Sequence, residues 1–142
     1  MLWKEDNIQA TLLVWDIDHF KMLNDQYGHA AGDKVLQAVA RKLKVNVADD
    51  DIVARFGGEE FVMLLNGKSA QEGEELAERV RLIIADTEFT YKQQPLKVTI
   101  SCGVASFQPK DTPTTLFERA DKALYKAKRS GRNKVEVLAN VA

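Results

Sequence analysis

The sequence predicts an α+β fold whose antiparallel central sheet is flanked by helices, and three observations predict it. Short, β-rich apolar runs alternate with segments of helical period, and Gly57-Gly58 joins two of the runs as a hairpin. The resulting order is strand, helix, strand, strand, helix, strand, with one more helix and strand after it. That is a ferredoxin-like βαββαβ core with a C-terminal addition. A length of 142 residues suits one core, so residues 1–142 read as a single domain with no room for a sensor module.

Each element has its own signal. Ala10 to Ile17 is an apolar run short enough for a buried strand, and it ends in acids. From Asp33 to Val47 the period changes, placing Val35, Leu36, Val39, Ala40, Leu43 and Val47 on one helical face. Ile52 to Phe56 and Phe61 to Leu65 are strands about Gly57-Gly58, where a tight turn needs the positive φ that glycine adopts without strain. Ser69 and Glu72 have capping-box spacing and open a helix that runs to Asp86, with Leu76, Val80, Ile83 and Ile84 inward. Phe89 to Tyr91 and Leu96 to Val104 are strands about the polar turn Lys92-Gln93-Gln94-Pro95. Thr112-Pro113 starts a helix whose buried stripe is Leu116, Phe117, Ala120, Ala123, Leu124 and Ala127. Gly131 stops that helix, and Val135 to Leu138 is a last short strand.

Composition narrows the function classes. The 20 basic and 21 acidic residues give a net charge of -1, without the broad basic footprint of a non-specific nucleic-acid binder. No apolar run approaches the roughly 20 residues that span a bilayer, and the opening Met-Leu-Trp-Lys-Glu-Asp does not resemble a signal peptide. The single cysteine, Cys102, cannot pair internally and fits a reducing cytoplasm as an inert buried thiol. A cytoplasmic domain that contacts neither nucleic acid nor membrane is therefore expected. Trp15, Phe61, Phe89, Phe107, Phe117 and Tyr125 sit at core-like spacings, and Asp49-Asp50-Asp51 reads as a solvated acidic turn.

The chemistry gathers at the acids. In a sheet of this topology the first and third strands are antiparallel neighbours, so Asp16 and Asp18 come close to Glu59 and Glu60. Carboxylates in apolar strands are costly unless paired or bound to a cation. Hard oxygen donors converging from a strand end and a hairpin tip suit Mg²⁺, which takes carboxylates together with phosphate oxygens. Either pair alone would read as a strand-end cap or a solvated turn. The two pairs in this order, with Gly57-Gly58 between the strands, favour a metal and a nucleotide.

Four ordered blocks then carry a resemblance. Asp16-Ile17-Asp18-His19-Phe20-Lys21-Met22-Leu23-Asn24-Asp25, Tyr27-Gly28-His29-Ala30-Ala31-Gly32-Asp33 and Arg55-Phe56-Gly57-Gly58-Glu59-Glu60-Phe61 are the first three. The fourth is Ala120-Asp121-Lys122-Ala123-Leu124-Tyr125-Lys126-Ala127-Lys128 with Gly131-Arg132-Asn133. Together they closely resemble the GGDEF family of diguanylate cyclases in its GGEEF form. The resemblance implies a fold like that of nucleotide cyclases and polymerase palms, and a reaction in which two GTP condense to cyclic di-GMP with release of two pyrophosphates. It implies a homodimer with one GTP per chain, two Mg²⁺ (or Mn²⁺) ions per half-site, and a sensor or receiver domain outside this chain. By motif position, Asp16, the Ile17 carbonyl and Glu59 would bind the metals. Glu59 would also accept the ribose 3′-hydroxyl proton, with Glu60 as an auxiliary acid. Asn24 and Asp33 would read guanine, whose N–H donors suit a carboxylate and an amide oxygen. Lys21, Lys128 and Arg132 would contact phosphates, with His19 and Phe20 offering backbone N–H groups, His29 at the nucleotide rim, and Gly57 and Gly58 allowing close approach. On residue type alone, Asp33 reads as a helix N-cap after Gly32, and Lys128 and Arg132 as a basic helix C-terminus.

Two departures from the family pattern follow. The inhibitory RxxD motif that precedes the GGEEF strand in many members is here Ala48-Asp49-Asp50-Asp51, so Asp51 is retained while Ala48 replaces the arginine and its guanidinium fork. Only nine residues precede Ala10, so the family's usual opening helix is expected to be absent and some apolar sheet surface uncovered. A non-catalytic GTP-binding or dimerisation module is the alternative function, and a palm-like enzyme acting on another nucleotide a third.

Overall fold

The computed structural model describes residues 9–138, so the expectation about the segment before Ala10 falls mostly outside the described residues. Strand β1 (Ala10–Ile17) is buried at every position except the half-buried Leu12. It pairs antiparallel on one side with β3 (Glu60–Asn66) and on the other with β6 (Ile100–Ser106). Strand β2 (Ile52–Arg55) adds antiparallel to β3, and β7 (Val135–Val137) adds parallel to β6. The five-stranded order is β2-β3-β1-β6-β7. Central position explains why β1 reads as a continuous apolar run rather than an alternating one, since both of its faces are covered.

Four helices supply the cover: α1 (Phe20–Tyr27), α2 (His29–Val45), α3 (Ala70–Asp86) and α4 (Pro113–Arg129). Leu13, Trp15 and Ile17 pack with Val35, Val39 and Leu43 of α2 and Ala77, Val80 and Ile84 of α3 in the larger core. Val14 turns the other way and packs with Ala105 and with Leu116, Ala120 and Leu124 of α4. Both long helices after the hairpin start in reciprocal caps. The Glu72 amide donates to Ser69 Oγ at 3.1 Å and the Ser69 amide to Glu72 Oε1 at 3.0 Å, and Thr112 with Thr115 repeats the arrangement. No helix among the described residues is long and apolar enough to cross a membrane.

Four features differ from the sequence expectation. The helix expected from Asp33 begins at His29, and the separate α1 precedes it, so Asp33 lies inside a helix and is not its N-cap. Gly28, at φ 94°, breaks the chain between the two helices, whereas Gly32 sits within α2 for a steric reason given below. The expected strand Leu96 to Val104 is two strands: β5 (Gln94–Leu96) pairs only with β4 (Phe89–Tyr91) in a separate hairpin, and β6 begins at Ile100. Its turn uses Lys92 and Gln93, both at positive φ, the geometry that Asn-Gly usually announces. Tyr125 is 59% exposed on α4 and lies beside Arg129, so it is not a core residue. The Asp51 side chain is only 1% exposed, so the acidic turn is not wholly solvated.

Gly103 on β6 lets α4 lie directly on the sheet. A Cβ there would stand 2.1 Å from the Ala120 carbonyl oxygen and 2.3 Å from the Leu124 nitrogen, both backbone atoms that cannot swing away. Gly103→Ala is therefore expected to lower unfolding free energy by about 1–3 kcal/mol or more. Urea denaturation measures this, and an unchanged midpoint would show that α4 does not seat so closely.

Candidate active site

The site begins where β1 ends. In the β1–β3 register Asp16 stands opposite Glu60, and the Ile17 amide donates to the Glu59 carbonyl at 3.3 Å. The hairpin tip is closed by the Phe56 amide on the Glu60 carbonyl at 2.7 Å, with Gly57 at φ 84°. Arg55 donates to the Gly58 carbonyl from Nε at 3.1 Å and Nη2 at 2.7 Å, a clamp that residue spacing did not disclose. At Gly58 the backbone has no positive φ and a Cβ would meet nothing within 4 Å, so the fold itself does not require glycine there.

Asp16 and Ile17 from β1, Asp18 just after it, Glu59 from the hairpin, His19 to Met22 at the start of α1, and Lys128 and Arg132 at and after the end of α4 line one cleft of about 230 Å³. Asp16 is 6% exposed. Lys128 Nζ forms an ion pair with its Oδ2, and Oδ1 is buried without a hydrogen-bond partner. Burial pushes the Asp16 carboxyl above the usual range; the Lys128 hydrogen bond and charge oppose that, and Glu59 and Asp18 add to it. Glu60 is raised too, by burial first and then by the charge of Asp16. Among the described residues no three His, Cys, Asp or Glu side chains form a ready-made cage. Two carboxylates and the Ile17 carbonyl are instead a partial donor set, the kind Mg²⁺ accepts when phosphate and water complete its shell. The orphaned Asp16 Oδ1 fits such a cation.

Asp18 does not belong to that donor set, contrary to the expectation that four acids cluster as a metal site. Thr99 Oγ1 donates to Oδ2 at 2.8 Å, Ser101 Oγ to Oδ1 at 2.7 Å, and the Asn133 amide to Oδ2 at 2.9 Å. Its carboxylate is occupied by the fold. Sequence periodicity gave no hint of Thr99, Ser101 or Asn133 as its partners, because they lie more than 80 residues away.

A second region lies between the helices and β2. The Asn24 Oδ1 is buried without a partner, and a Cβ on Gly32 would stand 1.8 Å from it and 3.0 Å from Phe20 Cζ. Gly32 thus exists to let the Asn24 amide lie against α2. The next residue, Asp33, is exposed and lines a groove of about 450 Å³ with Leu36, Arg55 and Phe61, whereas Asn24 lines neither that groove nor the cleft at Asp16. Lys21 and Arg132 are exposed at the cleft, whereas His29, also exposed, does not line it. Asp51 is tied up elsewhere: it accepts from the Ala48 amide at 3.0 Å and the Asn66 amide at 2.8 Å, with Lys68 Nζ at 3.8 Å.

Comparison with known proteins puts this arrangement in context. The family described as "Diguanylate cyclase, GGDEF domain" matches residues 2–134. Diguanylate cyclase DgcP of Pseudomonas aeruginosa is 50% identical over 132 residues, covering 93% of this chain and 20% of that protein. The chain thus spans about a fifth of that relative's length. The GGDEF domain of DgcB from Caulobacter crescentus, solved in complex with c-di-GMP, superposes with a TM-score of 0.93 at 34% identity, over 96% of this chain and 82% of that one. An active GGEEF domain of a diguanylate cyclase from Vibrio cholerae superposes at 0.90 with 33% identity, over 99% of this chain and 89% of that one.

The environment of Asp16 carries a stability signature. A carboxyl whose folded value is raised contributes stability that is complete below its ordinary value of 3.8 and is lost as pH rises through the folded value. Asp16→Asn, which removes the buried charge, is expected to melt higher than the parent at neutral pH in metal-free buffer, with the gap narrowing toward pH 3.8. Thermal melts across that range check it; a lower melting temperature at neutral pH would show that the Lys128 pair outweighs burial.

Proposed function

This chain belongs to the diguanylate cyclase GGDEF domain family, and from that premise we propose that it condenses two GTP molecules to cyclic di-GMP and two pyrophosphates at the interface of a homodimer. The observation that carries the reading is the cleft where Asp16, Glu59, Lys128 and Arg132 converge, in which one Asp16 oxygen pairs with Lys128 and the other is buried without a partner. Acids to hold a cation and cations to hold phosphate, side by side, suit a nucleoside triphosphate better than any neutral ligand. Asn24 and Asp33 select guanine over adenine, since a carboxylate accepts from guanine N1–H and N2–H₂ and meets no such pair on adenine.

Asp16, the Ile17 carbonyl and Glu59 would hold Mg²⁺ or Mn²⁺, two ions per half-site, which when bound offset triphosphate charge and acidify the 3′-hydroxyl. Glu59 accepts the proton of that hydroxyl, with Glu60 as a further acid whose raised carboxyl suits proton exchange. The 3′-oxygen attacks the α-phosphorus of the GTP on the partner chain, and the bond to the β-phosphate breaks to release pyrophosphate. Lys21, Lys128 and Arg132 bind the phosphates, with the amides at the start of α1 (His19, Phe20) completing the anion site. Lys128 exchanges its Asp16 partner for phosphate in this scheme. Gly57 and Gly58 keep the hairpin tip clear for the triphosphate, which accounts for a glycine at position 58 that the fold does not need. His29 would stand at the guanine rim, outside the cleft that takes the triphosphate. We treat residues 1–142 as one catalytic domain, working in the cytoplasm under the control of a sensor or receiver domain.

Incubation with GTP and Mg²⁺, followed by chromatography of the nucleotides, tests the proposal. Cyclic di-GMP should form at a rate that rises more steeply than linearly with protein concentration, and Glu59→Gln should lower it by about 100-fold or more. GTP left intact by concentrated protein would refute it. A second expectation concerns control by product. Ala48 supplies no guanidinium, and Asp51 is engaged by Ala48, Asn66 and Lys68, so added cyclic di-GMP should leave initial rates unchanged at this position. Inhibition that Asp51→Ala abolishes would contradict it.

A further inference from the structure

We infer that Asp18 and Arg81 are positioning residues that hold the Arg132–Asn133 segment against the cleft, so that Arg132 meets the triphosphate from a fixed backbone. The inference rests on the functional reading above and adds to it two residues that no motif role covers.

The turn after α4 is conformationally unusual. Gly131, Arg132 and Asn133 have φ of 119°, 62° and 48°, three consecutive residues on the left-handed side, of which only the first is glycine. Asparagine tolerates that region, but an arginine there persists only where surrounding contacts over-determine it, and such strain gathers at ligand sites. Here the contacts are identifiable. The Arg132 amide bonds back to the Ala127 carbonyl at 3.0 Å, and the Asn133 amide donates to Asp18 Oδ2 at 2.9 Å. From the other side Arg81, on α3, donates through Nη1 to Asn133 Oδ1 at 2.7 Å and to its carbonyl at 3.2 Å. Glu78 holds the Arg81 guanidinium in turn. Asn133 is therefore gripped at its amide, its carbonyl and its side chain.

Asp18 is suited to this work by where it stands. It follows β1 directly and precedes His19, itself left-handed at φ 55°. Thr99 and Ser101 fix its carboxylate, and it is 8% exposed. One side chain thus ties the strand that carries Asp16, the start of α1, β6 and the Arg132 turn to each other. The guanidinium of Arg132 is long and exposed, and its placement depends on the backbone from which it projects. Asp18 borders the cleft, but its carboxylate is committed to Thr99, Ser101 and the Asn133 amide, so it acts on the substrate through that backbone, as a positioning residue and not a catalytic one.

The test is a double-mutant cycle with GTP turnover as readout. Asp18→Asn keeps the size but turns a charged acceptor of three hydrogen bonds into a neutral amide with a single acceptor oxygen, which weakens its hold on the Asn133 amide. It should raise KM for GTP by about tenfold with a smaller change in kcat, as loss of a binding contact does. Arg132→Ala should do the same, and the pair together should be no worse than Arg132→Ala alone. Arg81→Met, which keeps the aliphatic stem of a half-buried side chain, should give a smaller KM rise that also vanishes on the Arg132→Ala background, so the inference stands or falls even if Asp18 variants do not fold. Effects that multiply across the cycle, or an unchanged KM in Arg81→Met and Asp18→Asn, overturn it. Hydrogen exchange at the Asn133 amide gives a readout free of nucleotide: it should be slow in the parent and fast in Asp18→Asn, and fast exchange in the parent overturns the clamp. A parent with slow exchange at Asn133 but no GTP turnover sinks the functional reading, and with it the role of the clamp in that reaction, a result distinct from multiplicative kinetics in an active enzyme.

Discussion

Asp16 faces Glu60 because β1 and β3 run antiparallel in one register, with Trp15 opposite Phe61 and Leu13 opposite Met63. A slip of one residue would turn the apolar set of β1 to the wrong faces, so the large core that buries Trp15 and Phe61 fixes the register far more firmly than the polar end could. The acids inherit their separation from that packing. The position of the hairpin tip, the Ile17–Glu59 backbone bond and the mouth of the cleft all follow from the same pairing.

Within that frame two aspartates two residues apart have opposite fates. Asp18 receives three donors and serves the fold, while Asp16 keeps an unpartnered oxygen and a single lysine. A buried carboxylate without enough donors is unfavourable in the absence of a cation, and natural sites tolerate this where the charge is needed for function. The neighbouring Asp18 offers the contrast that makes the difference visible: the same residue type, at similar burial, fully satisfied. Stability and chemistry are thereby separated along one short stretch of chain.

Elements with local causes were legible in the residues. The capping box at Ser69–Glu72 and the Pro113 start of α4 are written in contiguous residues and occur as expected. The hairpin about Gly57-Gly58 and the apolar run of β1 also need no distant partner to be recognised. Elements with distant causes were not. A helix expected to start at Asp33 left Gly28 and Gly32 outside it, yet only Gly28 is a break; Gly32 accommodates Asn24 from the preceding helix. The polar turn at Lys92-Gln93 was legible, but its left-handed geometry, which goes with the β4–β5 pairing around it, was not, since neither residue is the Asn or Gly that favours it. Asp51 looked like one acid in a solvated run until two backbone amides and Lys68 closed over it.

By itself the sequence determined the strand and helix order, the hairpin, and the set of acids, bases and amides from which a nucleotide site could be built, because periodicity, capping and turn chemistry act over a few residues. Only the tertiary structure decided which members of that set are bonded within the fold and which are left open at the cleft. That the Asp18 carboxylate ties distant segments together depends on Thr99, Ser101 and Asn133, and Asn133 is bonded in turn by Arg81 from another helix. Hydrogen-bond satisfaction and burial are properties of the assembled fold, and no local pattern in the chain encodes them.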